Sequence, residues 1–432
     1  MHRLRSATVL LSLAVFVLAA AACASQSQAP PDSGAVAEAT PEPTTITWSY
    51  WGDDWEVAVN HRVARAFESE HPDIKVRQEH HPWPDYFTWL RGEWREGRSP
   101  DVMFLNYIPA YVAMGELAPL DGFLGASPDA LADFYPALLD GFRANGQLYG
   151  LPRDNDPKVI YYNRDHFRDA ALPEPSAGWT WEDLRRTALA LTDRTASEPR
   201  YGFGFERDSW WLVWLWQNGG DVVNDPMHPT AVRLDSPANA AALQFLQDLI
   251  NSDGVTPPPD QLTTEAMSAL FRQGRLSMMF GNHALVPQLA NTPNLSWDVA
   301  PLPVGRMPAN VAGGAGFTIS KRSPNKDAAW KLVEFLAGHQ AQAIFAESGL
   351  ITPARRSVRE NSIFLRQQPY HAGVFVAETE FGRAMPNFPG VTEMFRIIDE
   401  ALRPVWRGER SVAEVLRELA PRIEETIGIA GS

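Results

Sequence analysis

Tyr50, Trp51, Asp53 and Asp54 place two flat rings and two carboxylates in one seven-residue stretch, SYWGDDW (Ser49–Trp55). Two chemistries use such a set. Carboxylates beside aromatic surface can act as the acid and base of glycosidic cleavage. The same groups can instead bind a hydroxylated ring, its apolar face on an aromatic side chain and its rim hydrogen-bonded by ionised acceptors. The chain contains no GxSxG, HExxH, CxxC or GxxxxGK pattern, so no residue is assigned a catalytic role and no cofactor is implied. His80 and His81 are sequence neighbours that point to opposite sides of an extended chain; they are expected to face solvent, and no metal site is assigned. Trp48, just before this stretch, and Trp55 at its end read as core, whereas Asp53 or Asp54 serves both as helix cap and as ligand contact.

These groups need elements to hold them. TITWSYW alternates like a half-buried strand, and the following VAVNHRVARAF puts Val59, Val63, Ala66 and Phe67 on one helical face. IKV (residues 74–76) reads as a second strand, residues 86–94 as a helix, and DVMFL (residues 101–105) as a third strand. Strands alternating with helices predict an α/β fold with a parallel or mixed sheet covered on both faces. In such sheets ligands collect beyond the carboxyl ends of the strands, where SYWGDDW and Asn106 both fall. Asn106 is a candidate polar contact, with an Asx turn before Pro109 as its local alternative. Further along, KVIYYN, GRLSMMF and WDVAPLP read as strands. Thr180 with Asp183, Ser236 with Pro237, and Ser411 with Glu414 mark helix starts.

The chain opens with Arg3 and Arg5, an apolar run from Ala7 to Ala22, and then Cys23, its single cysteine. That order predicts a secretory signal peptide over residues 1–22, too short for a comfortable membrane span. A lone Cys directly after such a leader resembles a lipobox, in which Cys23 would carry the lipid anchor. Residues 23–45 lack aromatic side chains and are rich in Pro, Ser and Ala, the composition of a flexible tether. One cysteine permits no intramolecular disulfide, so packing alone must hold the fold. With 52 acidic against 38 basic side chains and a net charge of −14, the chain is a poor partner for nucleic acid.

Over nearly its whole mature length the sequence resembles the extracellular solute-binding proteins of sugar-type ABC importers, similar to maltose- and maltodextrin-binding proteins. The resemblance is carried by SPDVMFLN, YGLPRDNDPKVIYYNRDHFRDAAL, WTWEDL, WQNGGDVVND, FRQGRLSMMFGN, APLPVG, GGAGFTIS, SPNKDAAWKLVEFL, SGLITPAR and MPNFPG, in that order. It implies a type II periplasmic-binding-protein-like fold: two lobes, a multi-crossover hinge and a ligand cleft between them. The expected division is residues 46–154 plus 315–366 for lobe I and 155–314 plus 367–432 for lobe II. The expected function is capture of a sugar or oligosaccharide by hinge closure, by a monomer anchored outside the cell membrane that delivers it to the ABC permease. Such a protein is not an enzyme.

The resemblance also implies site residues. Asp53 and Asp54 match polar contacts after the first strand, and Asp154 and Asp156 lie in the first crossover, where an acidic residue faces the sugar. Trp210 and Trp211 fall where maltodextrin binders place stacking rings; helical spacing makes one of the two sets they head part of the core. Asn282 is a hydroxyl partner, Gly313 and Gly314 let backbone amides approach, and Phe395 replaces an aromatic platform. Ala284 stands where maltodextrin binders carry a tryptophan, which argues against a long maltodextrin. A glycerophosphodiester ligand would instead require cations such as Arg153, Arg207 or Arg355 in the cleft.

Overall fold

A computed structural model describes residues 42–429 apart from 107, 126–130, 196 and 367–369, so the expected leader, Cys23 and nearly all of the tether lie outside the described residues. The first strands and helices are β1 (Thr44–Trp51), α1 (Asp54–Glu70), β2 (Ile74–His81), α2 (Trp83–Arg95), β3 (Val102–Leu105) and β4 (Gly150–Pro152). Asp53 starts α1: its carboxylate accepts the Glu56 N–H at 2.9 Å, and acidic Asp54 and Glu56 complement the helix dipole. Inward-facing Val59, Val63, Ala64 and Phe67 then bury one side of α1, Ala64 taking the place expected of Ala66.

The chain continues through β5 (Val159–Asn163), α3 (Trp181–Leu191), β6 (Tyr201–Gly204), α4 (Trp211–Gln217), α5 (Pro237–Asn251), α6 (Thr264–Arg272), β7 (Leu276–Gly281), β8 (Trp297–Ala300), β9 (Asn310–Ala312) and β10 (Gly316–Ile319). It ends with α7 (Lys326–Leu336), α8 (His339–Glu347), α9 (Arg356–Arg359), β11 (Gly382–Ala384), α10 (Val391–Trp406) and α11 (Val412–Thr426). The expected starts hold: Thr180 and Asp183 form a reciprocal capping box on α3, Ser236 caps α5 and Ser411 caps α11.

Two sheets organise the fold. The first runs β2-β1-β3-β10-β4, parallel among β1, β2 and β3 and antiparallel where β10 meets β3 and β4. The second runs β8-β5-β7-β6 and is antiparallel except between β6 and β7. Each sheet has its own apolar core, which makes the fold α/β with two lobes. Trp48, Phe104, Phe317 and Leu332 lie in the first core, and Tyr161, Trp214, Met278 and Ile398 in the second.

Core membership passes from the first to the second between Leu151 and Val159, returns between Val311 and Ala315, and passes finally to the second between Ala354 and Val358, with Ala346 of α8 already reaching into the second core. Backbone hydrogen bonds knit these passages together. Arg153 N–H reaches Ala315 O at 2.9 Å, Asn155 N–H reaches Thr352 O at 2.9 Å, and Asp156 N–H reaches Gly313 O at 2.8 Å. The Asp154 carboxylate also accepts the Ala315 N–H at 2.8 Å.

Gly314 fits here because a Cβ on it would run into both the carboxylate and the carbonyl of Asp154. Its role in this structure is close packing of two crossing segments. Gly314→Ala should therefore lower stability by about 1–3 kcal/mol through overpacking, read as an earlier urea midpoint with an unchanged slope. A midpoint equal to that of the parent protein would show that the crossing has room to spare.

Candidate functional site

The carboxyl end of β1 delivers its residues in two directions. Tyr50 is buried, its hydroxyl donating to Gln78 Oε1 at 2.9 Å, and burial together with the nearby Glu56 pushes its phenol pKa upward. Trp51 packs among Phe104, Phe87, Trp83 and Tyr86, with ring centroids 4.3 to 5.4 Å away. Both rings expected as platforms are thus occupied by lobe I packing in this structure. Alternation explains little here, because both faces of β1 are covered from Ile46 to Trp51.

Trp55 departs from expectation in the other direction. Trp48 is core, but Trp55 is 49% exposed, held by an Nε1–H bond to Ser348 O at 3.3 Å. Trp83 is 50% exposed and meets Trp51 edge-on at 5.0 Å. Exposed Asp53 and Asp54 lie immediately before Trp55. Trp55, directly after the two carboxylates, and Trp83, at the start of α2, are therefore open aromatic surface of lobe I, and the repeated Trp in WGDDW and WPD was the signal for it. The expected exposure of His80 and His81 is corrected as well. Both are half-buried: His80 Nε2 bonds to Gly52 O at 2.7 Å, and His81 stacks on Trp89 at 4.1 Å. Asn106 is half-buried at the end of β3.

Behind Asp53 lies a buried ion cluster that the sequence did not reveal. Arg153 donates from Nε to Asp154 Oδ2 at 2.8 Å and from Nη1 to Glu56 Oε1, and its guanidinium sits 3.9 Å from the centre of the Phe104 ring. All three charged residues are less than one tenth exposed. Burial raises the Glu56 carboxyl, against the pull of Arg153. For Arg153, burial opposes the charge and is outweighed by Glu56 and Asp154, so its proton is held more tightly. The cluster ties α1 of lobe I to the first crossover.

Further along the same crossover, Asp156 meets Asn282 across 126 positions of sequence: Asn282 Nδ2–H donates to Asp156 Oδ2, and His283 N–H reaches Asp156 Oδ1 at 3.3 Å. Burial, opposed by Lys158, pushes the Asp156 carboxyl up to about 7. Lys158 is itself almost wholly buried. Its Nζ lies 3.5 Å from the Trp210 ring centre and 3.9 Å from Glu206 Oε2. Trp210 is half-buried, so one aromatic of the expected pair borders this polar group.

The other expected aromatics of lobe II do not border it. Trp211 is fully buried, its Nε1–H donating to Asp399 Oδ1 at 2.8 Å, and Phe395 is 5% exposed with its ring 6.0 Å from Trp211. Periodicity failed here because every residue of α4 from Trp211 to Gln217 is buried, leaving no wet face to distinguish. Lys158, Glu206 and Glu56 were missed for a related reason: each is a charge held by partners distant in sequence.

From Asp53 to Asn282 the groups form a connected line, running through Glu56, Arg153, Asp154, the Gly313–Gly314 segment and Asp156 across the join between the lobes. A separate cavity of about 280 Å³ is lined by Pro109, Arg143, Met227 and Asn387 among others, and by none of the expected site residues. Among the described residues no group of three or more His, Cys, Asp or Glu is placed to hold a metal, and no helix is long and apolar enough to cross a membrane.

Comparisons with known proteins bear on the family and the fold. A putative binding protein of Brucella abortus is 27% identical over 375 residues, covering 84% of this chain and 88% of the relative. The galactooligosaccharide-binding protein of Bacillus subtilis is 22% identical over 419 residues, covering 94% and 95%. Among solved structures, an ABC substrate-binding protein of Listeria monocytogenes in complex with cycloalternan superposes with a TM-score of 0.82 at 24% identity, covering 90% of this chain and all of that one. UgpB of Mycobacterium tuberculosis in complex with glycerophosphocholine superposes at 0.77 with 20% identity, covering 88% and 98%. At these identities the two structures establish the shared two-lobe fold and not a shared ligand. The profile of the bacterial extracellular solute-binding proteins matches residues 49–343, and this chain belongs to that family.

Proposed function

We propose that this ABC-transporter solute-binding protein captures a sugar or short oligosaccharide between its lobes and delivers it to a membrane permease. The observation that carries this reading is the connected polar line from Asp53 to Asn282, flanked by exposed Trp55 and Trp83 in lobe I and by Trp210 in lobe II. A pyranose needs both kinds of group, flat apolar surface and strong hydroxyl partners. The galactooligosaccharide specificity of one relative supports the same class. A ligand touching both lobes binds the closed form better than the open one, and that difference drives closure. The passages between the two cores at residues 151–159, 311–315 and 354–358 are the hinge crossovers in this reading. Lipidation of Cys23 would hold the protein at the outer face of the membrane as a monomer. The protein presents the sugar unchanged, and hydrolysis of ATP on the far side of the membrane drives import.

The glycerophosphodiester alternative has less support. Of the cations it would need, Arg153 is engaged by Glu56 and Asp154. Arg207 donates to Pro259 O at 2.9 Å, and Arg355 donates to Ala337 O at 2.6 Å and approaches Asp133. The amino terminus of α1 is already capped and lined by acids, which repel a phosphate.

A melting screen of the lipid-free protein against galactotriose, maltotriose, monosaccharides, polyols and glycerophosphocholine tests the class, since a native-state ligand raises the melting temperature. The expected result is a rise with a sugar and none with the phosphodiester; the reverse result would overturn the sugar reading. With the responding sugar, Trp210→Ala should weaken binding by about 1–3 kcal/mol as read by calorimetry. Unchanged affinity would remove Trp210 from the site.

A further inference from the structure

We propose that Asp399 is a positioning residue for ligand binding: it holds Ser209 in a left-handed backbone conformation and thereby sets the Trp210 ring against Lys158 at the wall of the cleft. This rests on the reading of Trp210 as a ligand platform.

The geometry is unusual at one residue. Ser209 has φ of 62°, a region that a residue with a Cβ enters reluctantly. The next amide, Trp210 N–H, folds back to Asp208 O at 2.7 Å, closing a three-residue turn with Ser209 at its centre. Turns of this kind with positive φ are rare and strained, and they persist only where the surroundings over-determine them. Here the surroundings are one carboxylate. Asp399, on α10, accepts the Ser209 N–H at 2.8 Å, the Ser209 hydroxyl at 3.0 Å and the Trp211 Nε1–H at 2.8 Å. Burial raises this carboxyl, Asp208 adds to the rise, and the three donors pull against it.

The consequence falls on the neighbouring ring. Asp399 and Phe395 fix Trp211 inside the second core. Trp210, one residue earlier, must diverge from it by the helical step and lies at the edge of the core, packed against it and half-buried. The turn at Ser209 decides where it goes, and it goes over Lys158, with Nζ 3.5 Å from the ring centre. A regular start to α4 would place the Trp210 backbone, and with it the ring, differently. A strained turn held by a half-buried carboxylate directly before the half-buried ring is therefore better explained by presentation of that ring than by packing alone.

The test uses protein labelled with 5-fluorotryptophan, the Trp210 line of its ¹⁹F spectrum being assigned through Trp210→Phe. Asp399→Asn should move the Trp210 line by more than its width. Adding Ser209→Gly should return it, because glycine adopts positive φ without help. Affinity for galactotriose should fall at least tenfold in Asp399→Asn and recover most of that loss in the double variant, at a temperature where both remain folded by circular dichroism. A Trp210 line unmoved in Asp399→Asn, or moved and not restored by Ser209→Gly, overturns the positioning role. If the line behaves as expected while Trp210→Ala binds sugar as well as the parent, the positioning holds and the platform reading is what fails.

Discussion

Arg153→Ala should lower the free energy of unfolding by about 3–5 kcal/mol at neutral pH. Arg153 holds Glu56 and Asp154 together at the foot of α1, and all three are nearly excluded from water. Its removal leaves two buried carboxylates with no counter-charge. Glu56, whose carboxyl burial already raises, must then bind its proton more readily still in the native state than in the unfolded chain. A folded-state pKa raised in this way destabilises the protein above that pKa, and the penalty shrinks as pH falls through it. Urea unfolding followed by tryptophan fluorescence should therefore show the variant far below the parent at pH 7.5 and closer to it at pH 5. Arg153→Lys should lie between them, because an ammonium keeps the charge but cannot reach both carboxylates with a planar fork. A deficit under about 1 kcal/mol at neutral pH would mean that water screens the cluster as it screens a surface pair.

Trp211→Ala should cost about 3–5 kcal/mol of stability by emptying a large volume of the second core and removing a donor from Asp399. Trp211→Phe should cost less, because it keeps most of the ring volume. Trp51→Ala should behave like Trp211→Ala, since Trp51 is packed by Phe104 and three further rings. Trp210→Ala provides the contrast: a small change in unfolding energy and a large one in sugar affinity. The informative measurement is the pair of numbers for each variant, urea midpoint and calorimetric affinity. If Trp211→Ala unfolded like the parent and lost sugar binding instead, its ring would belong to the cleft in the state that binds ligand.

Trp55 shows why local reading is limited in this chain. It stands one residue after Asp54 at the start of an amphipathic helix, where an indole is a reasonable core residue. Whether it is covered depends on the segment around Ser348, almost three hundred positions away, which touches its Nε1–H and leaves half its surface open. Trp51 has the opposite history. Its neighbours suggested a platform, but four rings from α2 and β3 enclose it. The same limit hid Lys158, whose ammonium is met by Glu206 and Trp210 from another part of lobe II. In each case the deciding partner is distant in the chain, and no periodicity encodes it.

Several other features were determined by the sequence alone. The caps at Asp53, Thr180, Ser236 and Ser411 depend on side chains within three residues of the amide they satisfy, so the helix starts could be read directly. Strand and helix alternation specified an α/β fold, and the ordered motifs implied two lobes. Tertiary structure alone decided which aromatic residues remain open, how Asp156 meets Asn282, and that Arg153 serves as an internal counter-ion. Those outcomes depend on which distant surfaces come together and exclude water, and exclusion of water is a property of the packed molecule, not of any stretch of its sequence.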